Sequence, residues 1–137
     1  PYTKVGNAKI SSHKWMSPLN NIEESCTTCH RQDTTWLKSR VQDTQDKTKE
    51  MQTLAGNTIV TAIGELKKAR ETEGANAELL SQAQEAHRKG QWYLDYVMVT
   101  NGYGFHNPTD TLSNLGKAIR YGNEAIQLAR DAVSGQG

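Results

Sequence analysis

Residues 33–73 read DTTWLKSRVQDTQDKTKEMQTLAGNTIVTAIGELKKARETE, and the spacing of their apolar and small residues decides the fold. Leu37, Val41, Thr44, Thr48, Met51, Ala55, Thr58, Ala62, Leu66 and Ala69 recur at steps of mostly three and four, the repeat that lines up one face of an α-helix. The stripe ends near Glu73-Gly74, where glycine can cap a helix. A continuous helix of about 40 residues would be about 60 Å long at 1.5 Å per residue. The threonines make this a weakly apolar seam. So long a helix cannot bury itself against short neighbours alone, and a partner helix from another subunit is expected. Gly56 and Gly64 each cost it roughly 1 kcal/mol relative to Ala, so they mark either a bend or a close approach of another backbone.

Downstream, Asn76 is an N-cap for a second helix whose face is Leu79-Leu80, Ala83, Ala86, Gly90, Leu94 and Val97-Met98, ending at Asn101-Gly102. Tyr103-Gly104-Phe105-His106 forms a compact loop, and Asn107-Pro108 reads as N-cap plus N1 proline of a third helix. That helix carries Leu112, Leu115, Ile119, Ile126, Ala129 and Val133, with Gly122 where a small residue is needed. Upstream, residues 1 to about 25 show little periodicity, with Gly6, Pro18 and Asn20-Asn21 as breakers. No stretch alternates with period two. The expected class is all-α: an irregular segment, then helices at about 33–73, 76–102 and 108–134. Residues 1–32 form the ligand-bearing segment and 33–137 a helical scaffold.

Between these parts stands Cys26-Thr27-Thr28-Cys29-His30. Two thiols three positions apart can each add across a vinyl group of one porphyrin, leaving the adjacent histidine as an axial ligand. That is the signature of c-type haem attachment. Other chemistries of a C-x-x-C pair fit less well. A thioredoxin-type dithiol would sit in a βαβ pattern, and a structural zinc site needs a second ligand pair at proper spacing. A disulfide between Cys26 and Cys29 would close a very small, strained loop.

The chain has 137 residues, one domain's worth, with 35% hydrophobic residues and a mean hydropathy of -0.76. So lean a composition implies a core filled by a cofactor or surface buried against a partner. The formal net charge is +1, from 16 basic and 15 acidic residues, which offers no field for nucleic acid or an anionic membrane. No window reaches the apolar length of a transmembrane helix. The chain opens Pro1-Tyr2-Thr3-Lys4 without a signal peptide, and a covalent haem protein must be exported. The expectation is a fragment of a longer periplasmic chain.

A low-spin haem needs a second axial ligand, and imidazole is the usual one. Besides His30 the candidates are His13, in the irregular segment, and His106, in a stiff turn between helices; each could equally be an ordinary loop histidine. His87 lies among Glu85, Arg88 and Lys89 and reads as solvated surface. Trp36, Trp92, Tyr93 and Tyr96 could pack on a porphyrin, but ordinary core is the commoner use of aromatic residues on helices. Met16, Met51 and Met98 read as packing residues.

Assembled in order, these residues resemble the final part of the pentahaem, ammonia-forming cytochrome c nitrite reductases. The resemblance rests on His13-Lys14-Trp15, Ser17-Pro18-Leu19, Cys26-Thr27-Thr28-Cys29-His30, the long helix that follows, Gln91-Trp92-x-x-Asp95, Phe105-His106-Asn107-Pro108 and Leu115-Gly116. It covers essentially the whole chain, but only about the last third of a family enzyme.

The resemblance implies that Cys26 and Cys29 bind the last haem c and that His30 is its proximal ligand. It implies that His13 and His106 ligate the irons of two haems attached upstream, and that the local haem's distal histidine lies outside this segment. The long helix would form a homodimer contact. The family's C-x-x-C-K motif does not occur here, and its active-site Arg, Tyr and His and its calcium ligands would also lie upstream. The whole enzyme would reduce nitrite to ammonium with electrons from a redox donor protein, and this segment alone is expected to be inactive. Two other readings remain: a stand-alone monohaem electron shuttle, and a haem-free helical interaction module.

Overall fold

Thr34–Glu71 forms one unbroken α-helix of 38 residues, about 57 Å long at 1.5 Å per residue. The computed structural model of the chain describes residues 2–11, 13 and 16–134. In order, the elements are β1 (Tyr2–Val5), β2 (Ala8–Ser11), a 3-10 turn (Pro18–Asn21), α1 (Ile22–Ser25), α2 (Thr34–Glu71), α3 (Ala77–Met98) and α4 (Pro108–Ser134). The chain divides into two units, residues 1–43 and 44–137, with α2 running through the boundary.

In the first unit, β1 and β2 pair antiparallel, from Tyr2 opposite Ser11 to Val5 opposite Ala8. Gly6-Asn7 is thus a two-residue turn, and Gly6 supplies the positive φ of 60° that such hairpin turns demand. The segment expected to be irregular is therefore partly a β-hairpin. Its strands lack apolar alternation because every residue in them is exposed, so neither face required it. After the hairpin, Ser17 Oγ accepts from Leu19 N–H at 3.3 Å and Asn21 Nδ2 donates to Glu24 Oε2 at 2.7 Å, holding the 3-10 turn to α1. Asp33 starts α2, its Oδ1 accepting from Trp36 N–H at 2.9 Å.

The second unit is a bundle of α2, α3 and α4. Its core is built in three layers: Ala55, Ile59, Leu94, Val97, Leu115 and Ala118; then Ala62, Ala86 and Ala125; then Leu66, Ala69, Ala83 and Ala129. Alanine dominates because the helices approach closely. A Cβ at Gly90 would lie 2.9 Å from Ile59 Cδ1, 3.2 Å from Ala118 O and 3.2 Å from Gly122 N, so the α3 and α4 backbones meet with Ile59 wedged beside them. The loop ends follow local rules. Asn76 Oδ1 accepts from Glu78 and Leu79 N–H, and Asn107 Oδ1 accepts from Asp110 N–H at 3.2 Å with Pro108 at N1. Asn76 N–H also donates to Ala132 O at 2.8 Å, fastening the start of α3 to the end of α4.

Two expectations about the seams change in detail. On α2, Ile59 rather than Thr58 enters the core, and on α4 the buried line is Thr111, Leu115, Ala118, Gly122, Ala125, Ala129 and Ala132. Leu112, Ile119, Ile126 and Val133 flank that line half-buried, because the small residues occupy the closest approach. Gly56 and Gly64 mark no close contact among the described residues. The helix continues through both, and nothing lies within 4 Å of where their Cβ atoms would be.

Candidate haem-attachment site

The last turn of α1 runs directly into the cysteine pair. Cys26 N–H donates to Ile22 O at 2.8 Å, and Cys29 and His30 N–H both donate to Cys26 O, at 3.1 and 2.9 Å. Thr27 and Thr28 reinforce this winding, their hydroxyls donating to the carbonyls of Glu23 and Glu24 at 2.5 and 3.2 Å. A single helical turn therefore carries the whole motif, and residues three apart on such a turn face the same way. Both thiols are free; Cys26 is half-buried and Cys29 exposed. His30 is exposed beside them. This donor set suits a porphyrin approaching from the open side: two reachable thiols on one face and an unburied imidazole next in sequence.

His13 belongs to the same unit and lines a cleft of about 820 Å³ with Ile10, Met16, Pro18, Asn21 and Ser25. That volume is of the size that holds ligands. Cys26, Cys29 and His30 do not line it. Of the motif residues His13-Lys14-Trp15, Lys14 and Trp15 lie outside the described residues.

His106 belongs to the second unit and is exposed at the turn before α4. The Phe105 ring meets its imidazole edge-on, centroids 5.9 Å apart at 67°. The turn is anchored from α2, where Gln45 Nε2 donates to Gly102 O at 3.2 Å. Gln45 carries no sequence signal of such a role, since the pair is 57 positions apart.

His87 is not the solvated surface residue its charged neighbours suggest. It is half-buried, its Nε2 is shielded from solvent, and that nitrogen has no hydrogen-bond partner among the described residues. It lines a groove of about 450 Å³ between α2 and α3 with Leu66, Lys67, Arg70, Gln84 and Arg88. Desolvation, then the charges of Arg88 and Arg70, hold its pKa below the usual histidine value.

Tyr93 packs against the core as expected, whereas Trp36, Trp92 and Tyr96 depart from the core reading. Trp92 is 60% exposed, stacked on Tyr96 at 5.6 Å and edge-on to Tyr93 at 5.0 Å, while Tyr93 stacks on Tyr121 at 5.9 Å. Trp36 is likewise exposed. Met51 packs against the core as expected, but Met16 and Met98 are exposed. Among the described residues, no helix is long and apolar enough to cross a membrane.

Comparison with known proteins bears directly on this motif and helix arrangement. The family model described as Cytochrome c552 matches residues 1–137. The chain is 41% identical to the cytochrome c nitrite reductase subunit NrfA of Nitratidesulfovibrio vulgaris, over 96% of this chain and 26% of that protein. It is 37% identical to the cytochrome c-552 of Maridesulfovibrio salexigens, over 93% of this chain and 24% of that one. Its fold matches the solved cytochrome c nitrite reductase of Desulfovibrio desulfuricans, described for two calcium sites in its catalytic subunit. The TM-score is 0.89 at 35% identity, covering 98% of this chain and 29% of that one. The chain thus spans about a quarter of the length of the curated relatives it matches. With a c-type attachment motif wound on one turn ahead of a helix of this length, the chain belongs to the cytochrome c552 family.

Proposed function

We propose that this chain is the C-terminal electron-transfer and dimerisation portion of a periplasmic nitrite reductase that forms ammonium. The observation that carries the reading is the single turn holding both free thiols, Cys26 half-buried and Cys29 exposed, together with His30, placed directly before α2 in a cytochrome c552 chain. Cys26 and Cys29 would hold the haem by adding S–H across its two vinyl groups, with no net oxidation. His30 would supply an imidazole ligand to that haem from the same turn. His13 and His106 would supply imidazoles to haems attached upstream. Haem c, when bound, supplies one-electron transfer; the protein's part is ligation, orientation and exclusion of water. Residues 1–32 are the haem-binding segment and 33–137 the scaffold. The active-site haem and the calcium ligands lie in the upstream part, so the fragment alone does not turn over nitrite.

The dimer contact is proposed on α2. Gly56, Val60 and Gly64 lie one turn apart along one face, Val60 is 68% exposed, and among the described residues no atom fills the space over either glycine. Small residues spaced this way admit a second helix backbone at close range, as in the expected pairing of two long helices.

Intact mass and a reduced-minus-oxidised visible spectrum of the chain made in a haem-attaching host test the reading. One added haem with a high-spin spectrum supports it, because the distal ligand is upstream. One added haem with sharp low-spin bands supports the monohaem shuttle instead, a reading favoured by the cleft that His13 lines beside α1. Replacing His30 with Ala in the whole enzyme removes one low-spin centre, and an unchanged low-spin spectrum sinks the proximal assignment.

A further inference from the structure

Just ahead of Phe105-His106, three consecutive residues hold positive φ: Gly102 at 83°, Tyr103 at 48° and Gly104 at 75°. Glycine takes positive φ freely, so the strain falls on Tyr103, whose conformation persists where its surroundings over-determine it. Gly104 is buried, and a Cβ there would stand 2.6 Å from Thr48 Oγ1 and 2.9 Å from Thr111 Cγ2. Gly102 O accepts from Phe105 N–H at 3.1 Å and from Gln45 Nε2 at 3.2 Å, the second bond reaching across from α2. Asn107 N–H donates to Gly104 O at 3.2 Å, so the turn passes into the capped start of α4 without slack.

The imidazole of His106 rests on this turn. A methyl group at Gly102 would lie 3.0 Å from His106 Cδ2 and 3.3 Å from Nε2. The ring edge that bears Nε2 therefore lies over bare backbone, and any side chain at position 102 would displace it. Groups that hold a ligating imidazole in place also tune the metal it binds.

We infer that Gly102 and Gln45 are positioning residues for His106, Gly102 by leaving room for the ring edge and Gln45 by fixing the carbonyl of that glycine. The inference rests on the reading of His106 as an iron ligand. Gln45 acts at one remove: its side chain holds Gly102, and Gly102 sets the plane and reach of the imidazole.

The test uses the full-length enzyme carrying all its haems, with low-spin g-values read by electron paramagnetic resonance and midpoint potentials by redox titration. Four variants are compared: His106→Ala, Gly102→Ala, Gln45→Met and Gly6→Ala. Gly6→Ala is the control, since Gly6 has a similar positive φ of 60° but nothing within 4 Å. The expected result is loss of one low-spin signal in His106→Ala. Gly102→Ala and Gln45→Met should shift the g-values and potential of that same haem, and Gly6→Ala should shift none. Unchanged signals in the Gly102 and Gln45 variants, with His106→Ala still altering one haem, overturn the inference and leave the ligand reading intact. If His106→Ala alters no haem, the ligand reading fails and the inference with it. Should Gly102→Ala not accumulate, Gln45→Met decides, because it keeps the side-chain length and loses the amide that donates to Gly102 O.

Discussion

Arg130 of α4 grips Glu65 of α2 through two nitrogens, Nε at 3.1 Å and Nη2 at 2.7 Å from the same carboxylate oxygen. The hydrogen bond from Arg130 is the main reason that the Glu65 carboxyl titrates below its usual range. A depressed carboxylate pKa contributes stability above the unfolded value of 4.5, and this is lost as pH falls through the folded value. Arg130→Met should lower the thermal midpoint slightly at pH 7, less in high salt. Below the folded pKa of Glu65 the variant and the parent should melt together.

His87 has the opposite charge type and the same direction of shift. Its folded pKa lies below the ordinary 6.5, so between the two values the unfolded chain binds more protons and stability rises with pH. The contribution is complete above about pH 6.5 and falls away as pH drops toward the folded value. Urea unfolding from pH 5 to 8 should show this slope, and His87→Gln should flatten it. An identical slope in the variant would assign the effect to other groups.

Gly90 sits where α3 meets the backbone of α4. Gly90→Ala gains about 1 kcal/mol of helix propensity but forces a methyl against Ala118 O and Gly122 N, which cannot rotate away. Overpacking of this kind costs about 1–3 kcal/mol. Chemical denaturation should find the variant no more stable than the parent, and less stable by up to about 2 kcal/mol, the difference of those terms.

Gly64 faces open space, so Gly64→Ala should stabilise an isolated subunit by about 1 kcal/mol. If the face with Gly56 and Val60 is the subunit seam, the bulkier Gly64→Leu should weaken association while α2 remains helical. Sedimentation of the whole enzyme across a concentration series measures this. An unaltered monomer–dimer equilibrium moves the seam elsewhere.

Single-cysteine variants separate attachment from ligation. Cys26→Ser and Cys29→Ser should each leave one thioether, and the double variant should carry no haem after denaturation in acid. Intact mass distinguishes these outcomes.

The helices and their caps were legible because their causes are local. Asn76 and Asn107-Pro108 mark their helix starts with their own side chains and ring. The hairpin was missed although Gly6-Asn7 is a turn signal, because strands without a buried face carry no alternation. The seams were read one position off at Thr58 and Leu112, since the sequence shows which residues are apolar but not which small residue lets two backbones touch. His87 was misplaced because Glu85, Arg88 and Lys89 suggest water, whereas Ala83, Ala86 and Gly90 on neighbouring turns set the buried line. The Cys26-Thr27-Thr28-Cys29-His30 motif is visible in the sequence without any fold. Gln45 could not be found this way, because its partner is fixed by how α2 crosses the loop.

The bond from Asn76 N–H to Ala132 O has a consequence for the order in which the protein is made. The start of α3 is fastened by a residue synthesised long after it, so this bond cannot form until residue 132 has been made. Cys26–His30 emerges on the order of a hundred residues earlier. At translation rates of about 5–20 residues per second, that interval is about 5–20 s. The thiols therefore exist on an unfinished chain for many seconds before this bond between α3 and α4 can form.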